Sequence, residues 1–458
     1  MVDAQAFSVA GYLSSNYLKI EDKLMQAIAT NNLLARRFKV MGRHSPIFYE
    51  EPLHLVRGEG VWLYDNQGRQ YLDVYNNVPH VGHCHPHVVQ ALHQQASQLN
   101  IHSRYLNDNL VNYLERLTAT FDESLSMAML TCTGSEANEL ALRMARHATS
   151  AQGIIVTDFA YHGNTESVAE IGTGFMPEAK RTKRVKAFSI PDSYRGLVGV
   201  AQEDLAQAYA DQVQQAIDEF EEEGIKVAGI LVCPDFANEG LLNVPKGFLE
   251  KAVANVRRAG GLFIADEVQA GFGRTGKHMW AHQAYGVTPD IVTLGKPMGN
   301  GHPLAGVVAR PDLVEGFSEQ AMYFNTFSST PVSSAVGMAV LDVLEQEKLQ
   351  ENALSTGRYV LNGLKRLQEK FDLIGEVRGL GMFFALELVL DQKTKQPAIH
   401  QAKRLINIMR YKGVLISTIG VTDSILKLRP PMPFNQAHAD LLLETLADSF
   451  EQLNREGH

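Results

Sequence analysis

Two polar residues, each at the end of a short apolar run, are spaced to do chemistry together. Lys296 ends the run Asp290-Ile-Val-Thr-Leu-Gly-Lys296, and Asp266, thirty residues upstream (296 − 266), ends Gly261-Leu-Phe-Ile-Ala-Asp266. Such runs are typical of strands buried in a parallel sheet, whose carboxyl ends meet at one ligand-binding rim. An amine facing a carboxylate is the pair that pyridoxal phosphate (PLP) needs: the Lys forms a Schiff base, and the Asp keeps the pyridine nitrogen protonated.

For two isolated residues, a sheet-end ion pair without a cofactor is the simpler interpretation, but a neighbouring motif favours a cofactor. Leu130-Thr-Cys-Thr-Gly-Ser-Glu-Ala-Asn138 passes from an apolar run into helical periodicity. A helix N-terminus at such a turn offers N–H groups to a phosphate. Gly134 permits close backbone approach, and Ser135 adds a hydroxyl donor. Because Ser is also a preferred N-cap, the sequence leaves open whether Ser135 binds phosphate or only caps the helix.

Aromatic and amide side chains follow the strand-like runs. Gly153-Ile-Ile-Val-Thr-Asp158 precedes Tyr161-His162-Gly163, where Tyr161 is placed to lie against a flat heteroaromatic ring. Val268 and Gln269 come directly after Asp266 and Glu267. Val268 would cover the opposite face of the ring, and Gln269 would donate to its phenolic oxygen.

Together with Asp266-Glu-Val-Gln-Ala-Gly-Phe-Gly-Arg-Thr-Gly276 and Gly295-Lys-Pro-Met-Gly-Asn-Gly-His-Pro303, these motifs resemble the signatures of class III, fold-type I PLP enzymes. The order and spacing match from about residue 45 to residue 445. The resemblance implies Lys296 and Asp266 as catalytic residues and a homodimer, or a dimer of dimers, with cofactor sites across the interface. The cofactor-binding residues that it implies are Gly134, Ser135, Tyr161, His162, Asp266, Val268, Gln269, Lys296 and, reaching the phosphate in the partner subunit, Thr326.

The implied fold is α/β, the PLP-dependent transferase fold type I. It has a large, doubly wound, mostly parallel sheet domain and a smaller α+β domain built from both termini. We expect an N-terminal helix and hairpin over 1–75 that belong to the small domain, the PLP-binding domain over 76–330, and the rest of the small domain over 331–458. Periodicity predicts a helix from about Tyr12 to Lys39, a hairpin over Val61–Asp73, a helix over Ala206–Glu222 and a strand over Val377–Leu388.

Composition limits the partners and the location. The 458 residues exceed one compact core, and the net charge of −9 comes from 42 basic and 51 acidic side chains without a basic block. We therefore expect neither nucleic acid nor membrane as a partner. Three Cys, with no secretion signal and no stretch of 18 apolar residues, predict a cytoplasmic protein without disulfides.

A histidine-rich stretch raises a metal site as an alternative. His80, His83, His85 and His87 lie beside Cys84, and imidazoles with a thiol bind zinc. However, alternate residues of an extended segment point to opposite faces, and Pro79 and Pro86 prevent regular helical pairing. We predict no metal site.

Two departures from the aminotransferase pattern bear on the reaction. Aminotransferases of this family usually carry Arg three residues before Pro-Pro, where this chain has Lys427, with Arg429 directly before Pro430. Lys does not replace Arg at a bidentate carboxylate site, whereas two cations suit a dianionic phosphoryl or phosphonyl group. Cys233 also stands where these enzymes commonly have the Glu that pairs with the mobile Arg.

These departures favour the smaller branch that resembles phosphoethanolamine and phosphohydroxylysine phospho-lyases. The predicted reaction eliminates ammonia from a small amine that bears a phosphate or phosphonate, and Lys427, Arg429 and Arg104 are predicted to hold the anionic head. The alternative is an ω-aminotransferase that moves an amino group to pyruvate or another keto acid, with the departures arising by neutral drift.

Overall fold

The computed structural model of the chain describes residues 32–176 and 181–457. The chain divides into two compact units, Met1–Val56 with Asp65–Arg69 and Arg57–Tyr64 with Gln70–His458. In the first unit, residues 32–41 are helical (α1), which agrees with the end of the helix predicted to Lys39. Residues 12–31 of that prediction lie outside the described residues. The predicted domain limits at residues 75 and 330 stay a prediction.

The centre of the second unit is a seven-stranded sheet. Its strands are β4 Met127–Thr131, β5 Gly153–Thr157, β6 Val185–Phe188, β7 Val227–Val232, β8 Leu262–Asp266, β9 Ile291–Leu294 and β10 Ala305–Ala309. Their order is β4-β10-β9-β8-β7-β5-β6. β10 runs antiparallel to β4 and β9, while β9, β8, β7, β5 and β6 pair in parallel. The mostly parallel sheet predicted from the apolar runs is confirmed.

Helices of the second unit cover both faces of this sheet, and the last three pack mainly with one another and with the C-terminal strands. They are α2 Pro86–Ala96, α3 Asp108–Thr118, α4 Gly134–Thr149, α5 Glu166–Glu170, α6 Leu205–Glu222, α7 Phe248–Arg258, α8 Pro311–Gln320, α9 Pro331–Gln346, α10 Leu349–Lys370, α11 Ile399–Tyr411 and α12 Gln436–Arg455. Alternation along β8 shows the layering, because Phe263 and Ala265 enter the core that contains α6 and α7, whereas Ile264 enters the core that contains α4. Because the central strands are buried on both faces, they are mainly apolar.

The remaining strands come from both ends of the chain. They are β1 Leu55–Glu59, β2 Trp62–Asp65, β3 Gln70–Asp73, β11 Ile374–Gly379, β12 Phe384–Asp391, β13 Gln396–Pro397, β14 Val414–Leu415, β15 Ser417–Ile419 and β16 Ile425–Leu428. β2 and β3 form the predicted hairpin, and β14 pairs in parallel with β3. β11, β12, β16 and β15 form a second antiparallel sheet, with β13 paired to β12.

The single strand predicted over Val377–Leu388 is wrong. The structure has two strands there, β11 and β12, joined by a turn in which the N–H of Leu380 donates to the carbonyl of Phe383 at 2.9 Å. Gly381 sits in this turn with a φ of 59°, which L side chains rarely adopt. The break therefore follows from the glycine, which the apolar pattern masks.

A buried arginine holds the C-terminal segments against the large sheet. Arg274 donates through Nη1 to the carbonyl oxygens of Met382 and Pro430, each at 2.9 Å, and through Nη2 to Nδ1 of His80 at 3.1 Å. Nε2 of His80 in turn donates to the carbonyl of Phe272 at 2.7 Å. Burial lowers the pKa of Arg274 to about 9, and burial with the Arg274 charge lowers the pKa of His80 well below its usual range. These hydrogen bonds require a neutral His80 with its proton on Nε2.

The other histidines of the histidine-rich stretch also have separate partners. His83 contacts Asp73 at 2.7 Å, His85 contacts Glu347 at 2.9 Å and His87 contacts Asp342 at 2.9 Å. Within residues 32–176 and 181–457, no three His, Cys, Asp or Glu side chains are grouped to hold a metal ion. The helices of these same residues include none long and apolar enough to cross a bilayer.

Candidate active site

One cavity lies at the carboxyl ends of β5, β7, β8 and β9, beside the first turn of α4. The sequence-predicted residues that line it are Gly134, Ser135, Tyr161, His162, Asp266, Val268, Gln269 and Lys296. They come from four separate motifs, and the parallel sheet brings them together because each motif follows a strand end. The cavity is not lined by Lys427, Arg429, Arg104 or Thr326.

The carboxylate of Asp266 is buried and held by donors from three segments. Oδ2 accepts from Nδ1 of His162 at 2.7 Å and from Nδ2 of Asn138 at 3.0 Å, and Oδ1 accepts from the N–H of Val268 at 3.0 Å. Burial alone would raise the pKa of Asp266, but the His162 contact, the Val268 N–H and the nearby Lys296 outweigh it and lower the pKa. The carboxylate stays ionised, as a partner for a protonated ring nitrogen must.

Asn138 connects these segments. Its amide also donates to the carbonyl of His162 at 2.7 Å, and its Oδ1 accepts from the hydroxyl of Thr293 at 2.7 Å. Asn138 lies on α4, four residues after Gly134, so both residues lie on the helix face toward the sheet. Sequence reasoning quoted Asn138 within its motif but gave it no role, and this helical spacing is the signal that identifies it.

Lys296 begins the 3-10 turn that follows β9 and projects into the cavity. Burial and the positive charge of Arg429 lower the pKa of its amine to about 8, although Asp266 acts in the opposite direction. A larger fraction of the amine is therefore neutral near physiological pH than for an ordinary lysine. A neutral amine is the form that attacks a carbonyl and accepts a proton.

The phosphate end of the cavity is formed by the start of α4. Thr133, not Ser135, caps this helix: its hydroxyl accepts from the N–H of Glu136 at 3.1 Å, and Glu136 accepts from the N–H of Thr133 at 2.8 Å. The cap-only interpretation of Ser135 is therefore wrong. Its hydroxyl faces the loop after β5, where Oγ accepts from the N–H of Asn164 at 3.2 Å. The hydroxyl and the helix N-terminus remain as donors for a phosphate.

Glycines allow the walls of the cavity to approach one another. A Cβ added at Gly134 would lie 2.8 Å from Cγ1 of Val268, and one at Gly163 would lie 2.5 Å from Oγ of Ser135. Gly163 also has a φ of 142°, outside the range of most L residues. The close packing holds Val268 beneath the helix N-terminus, where it forms one side of a narrow slot.

Tyr161 and Gln269 complete the ring-binding wall. Tyr161 is 41% exposed, and its ring meets that of Phe175 edge-on, with the centroids 5.2 Å apart. Gln269 accepts a hydrogen bond on Oε1 from Arg429. That contact orients the amide so that its NH₂ group is the part left to donate to a phenolic oxygen.

Two further cations lie behind this wall. Lys427, on β16, and Arg429, two residues later, fall on one face of the strand. Nζ of Lys427 donates to the carbonyl of Ala237 at 3.4 Å, and Nε of Arg429 donates to the carbonyl of Tyr75 at 3.0 Å. Burial and the charges of Arg429 and Lys296 lower the pKa of Lys427 well below its usual range, and burial lowers that of Arg429.

Arg104 and Thr326 lie together, outside the cavity of their own chain. Both are exposed, and the guanidinium of Arg104 lies 3.8 Å over the ring of Phe324, two residues before Thr326. The structure thus places these two predicted residues on one surface. Their roles stay predictions.

Sequence reasoning missed part of the wall contributed by the segment after β7. Cys233, Asn238 and Glu239 line the cavity there, as does Gly163 on the loop after β5. The sequence suggested that Cys233 removes a carboxyl from this segment, but Glu239, six residues on (239 − 233), supplies one.

The residues present fit PLP. The amine of Lys296 suits the aldehyde of that cofactor, and the ionised, buried carboxylate of Asp266 suits its pyridine nitrogen. The N-terminus of α4 and the hydroxyl of Ser135 suit its phosphate. Gly134 and Gly163 keep the slot open for a flat ring, since a side chain at either position would collide with its walls.

Comparison with known proteins agrees with this assignment. Residues 47–450 match the family described as aminotransferase class-III. A solved phospholyase from Arthrobacter, in complex with phosphoethanolamine, is 47% identical with a TM-score of 0.88, covering 92% of this chain and 99% of that one. An alanine–glyoxylate aminotransferase 2-like protein of Drosophila melanogaster is 39% identical, over 91% of this chain and 86% of its own. Ethanolamine-phosphate phospho-lyase homolog 1 of Caenorhabditis elegans is 34% identical, over 90% and 91%.

Replacing Gly134 with Ala should weaken PLP binding. The added Cβ would lie 2.8 Å from Cγ1 of Val268, so either the valine or the first turn of α4 must move away from its position. We expect the Kd for PLP, measured by titrating cofactor-free protein and following visible absorbance, to rise at least about tenfold, which corresponds to about 1.4 kcal/mol.

Gly316→Ala is the matched control, because Gly316 lies on α8 with nothing within 4 Å of an added Cβ. Its Kd should equal that of the unmodified protein, and its Tm should not fall, since Ala has the higher helix propensity. Equal PLP affinity in Gly134→Ala would contradict the packing argument.

Capture of PLP by cofactor-free protein should depend on pH through the amine of Lys296. With a pKa of about 8, the rate should rise to a plateau above that pH, because the neutral amine is the attacking form. Roughly a tenth of the amine is neutral at pH 7, against under one in a thousand for a lysine of ordinary pKa. Stopped-flow absorbance between about pH 6 and 10 measures the midpoint.

An N-acetyl-lysine amide treated with the same PLP is the reference, since it shares the titrations of the cofactor itself. Arg429→Met should move the protein midpoint to higher pH, because it removes a charge that lowers the Lys296 pKa. A midpoint equal to that of the model amide would rule out a lowered pKa.

Proposed function

Since the chain belongs to the class-III aminotransferase family and is PLP-dependent, we propose that it is a lyase eliminating ammonia from a small amine that bears a phosphate or phosphonate. This activity resembles that named for the phosphoethanolamine-bound phospholyase of Arthrobacter and for the Caenorhabditis elegans relative. The name of the Drosophila melanogaster relative supports the alternative, an aminotransferase that passes the amino group to a keto acid.

The observation that carries the proposal is the crowding of buried cations in the cavity wall and directly behind it. Lys296, Lys427 and Arg429 act on one another, and burial together with this repulsion lowers the pKa of both lysines. A monoanionic carboxylate would offset one of these charges. A phosphoryl or phosphonyl dianion would offset two and give each cation a charge-assisted hydrogen bond. The site is therefore better matched to a dianion.

Cation identity supports the same choice. Lys427 presents a compact ammonium with three donors, which suits one oxygen of a tetrahedral anion, whereas a planar carboxylate favours the fork of an arginine. Arg429 is fixed by its bonds to Gln269 and to the carbonyl of Tyr75, so it offers a preset direction to the anion.

When bound, PLP supplies an electron sink for the charge left on the carbon beside the substrate nitrogen. Asp266 remains ionised and would keep a proton on the pyridine nitrogen of the bound cofactor. The amine of Lys296 has a pKa of about 8, so near that pH a large fraction of it is neutral and can take the proton from that carbon. Ser135 and the N–H groups of α4 would hold the cofactor phosphate, and Val268 and Tyr161 would confine the ring.

The two candidate substrates differ in the group that departs. From O-phosphoethanolamine the leaving group is phosphate, and the released enamine hydrolyses to acetaldehyde and ammonia. From a hydroxylated aminoethylphosphonate it is hydroxide, and the products are phosphonoacetaldehyde and ammonia. Both substrates carry a primary amine and a dianion, so the same cations serve either.

We also propose a homodimer, or a dimer of dimers, in which one copy supplies Arg104 and Thr326 to the cavity of the other. Both residues are exposed, and Tyr105, Leu106 and Phe327 beside them are 60%, 102% and 76% exposed. Large apolar side chains grouped on a surface favour an interface. Thr326 would then reach the cofactor phosphate, and Arg104 the anionic head of the substrate.

The reaction is tested with a panel of phospho- and phosphono-amines, each with and without pyruvate. We expect ammonia without pyruvate, because elimination needs no amino acceptor. Ammonia, inorganic phosphate and alanine are scored separately, and released phosphate identifies the ester rather than the phosphonate. Alanine that forms only with pyruvate, without free ammonia, would return the chain to the aminotransferases.

The shared site is tested with mixed dimers in which one subunit carries Lys296→Ala and the other Arg104→Gln. If Arg104 acts across the interface, the lysine-containing site receives an intact Arg104 from its partner. About half of the unmodified activity should then remain. The control places both substitutions in one subunit beside an unmodified one, and the lysine-containing site there lacks the partner's arginine and should be slow. Equal activity of the control and the mixed dimer, or a monomeric active protein, would contradict the proposal.

A further inference from the structure

Glu239 is a buried carboxyl in the cavity wall that none of the roles above uses. It follows β7, is 4% exposed and lines the same cavity as Lys296. Its Oε1 accepts a hydrogen bond from the hydroxyl of Thr157, at the end of β5, at 2.6 Å. Its Oε2 is buried and, among the described residues, has no hydrogen-bond partner.

Burial raises the pKa of Glu239, and the Thr157 hydrogen bond, the backbone N–H groups of Glu239 and Asn238 and the nearby His162 only partly oppose the shift. A protonated carboxyl fits the observed contacts, because Thr157 satisfies one oxygen as an acceptor and the proton resides on the other. A buried donor without an acceptor is costly, so Oε2 calls for an acceptor within the cavity.

We propose that Glu239 is the general acid of the elimination and protonates the oxygen that leaves the substrate. This role rests on the proposed lyase function. It answers a chemical need shared by both candidate substrates, since phosphate leaving with its C–O bond pair, and hydroxide, are each strongly basic unless protonated as they depart.

Atoms and protons balance over the cycle. Lys296 takes a proton from the carbon beside nitrogen, the C–O bond on the next carbon breaks, and its electron pair leaves on oxygen. That oxygen takes the proton of Glu239, giving hydrogen phosphate from the ester or water from the hydroxyphosphonate. The proton held by Lys296 then restores the acid form of Glu239 before the next substrate binds.

Other ionisable groups in the wall are unsuited to this step. Asp266 is ionised, and His162 is engaged with Asp266 through its Nδ1. Lys296 is occupied as the base. Cys233 also lines the cavity, but burial raises the pKa of its thiol well above the usual range, which makes it a weak acid. Glu239 carries a carboxyl oxygen that has no hydrogen-bond partner among the described residues.

The test compares leaving groups that do and do not need a proton. Glu239→Gln keeps the shape and the contact with Thr157 but has no acidic proton. We expect elimination from O-phosphoethanolamine to fall by about a hundredfold or more, the usual contribution of a general acid. Elimination from 2-chloroethylamine should change by less than about threefold, because chloride departs unprotonated.

Two readouts besides turnover report on the cofactor site. PLP affinity and Tm should match those of the unmodified protein, because Gln imitates a neutral carboxyl. Exchange of the carbon-bound hydrogen of O-phosphoethanolamine with deuterated solvent should continue or increase, since Lys296 still removes the proton while departure is blocked. Glu376→Gln is the control, a partly buried carboxyl on β11 with a raised pKa, bonded to Asn243 outside the cavity. It should leave both substrates unaffected.

Equal losses on the two substrates, or no loss on the phosphate ester, would overturn the role of Glu239 and leave the lyase function intact. Absence of ammonia from every phospho- and phosphono-amine with the unmodified enzyme would overturn both. If Glu239→Gln fails to retain PLP, Glu239→Asp decides, because a shorter acid should slow the ester selectively and recover part of the lost rate.

Discussion

A negative charge buried at the rim of the sheet is the constraint on which this site depends. Asp266 must remain ionised where low polarity disfavours charge, and it does so through donors from α4, from the loop after β5 and from its own loop. Asn138 extends this network to Thr293 on β9, the strand that precedes Lys296. Each motif follows a different strand of the large sheet, so the motifs form one site when the sheet assembles.

The residues that follow strand ends could be predicted from the sequence. Lys296, Asp266 and Tyr161 each come after an apolar run, and a parallel sheet collects such ends at one edge whatever the length of the connecting helices. Asn138 was within reach of the same reasoning, because its spacing from Gly134 places it on the sheet-facing side of the helix. The family resemblance supplied what periodicity cannot, namely the identity of the cofactor.

The rest depends on features that no local pattern encodes. Glu239 lies on an irregular segment whose path turns at Phe236 and Leu241, with φ values of 46° and 55°, so neither alternation nor helical spacing indicates which side chains face inward. Arg104 and Thr326 do not line the cavity of their own chain, and their proposed contact with a second copy rests on the family resemblance rather than on any local pattern. The two-strand arrangement around Gly381 was hidden because the neighbouring residues are mainly apolar.

Val268 illustrates how the packing of the slot restricts sequence change. A Cβ at Gly134 would approach its Cγ1 to 2.8 Å, and a Cβ at Gly295 would approach the same atom to 3.0 Å and Cα of Gly134 to 3.3 Å. These positions are therefore epistatic: a side chain becomes acceptable at either glycine only after Val268 has become smaller. A mutant library that varies them one at a time would sample mainly collisions, so an engineered route to a wider slot has to begin at the valine.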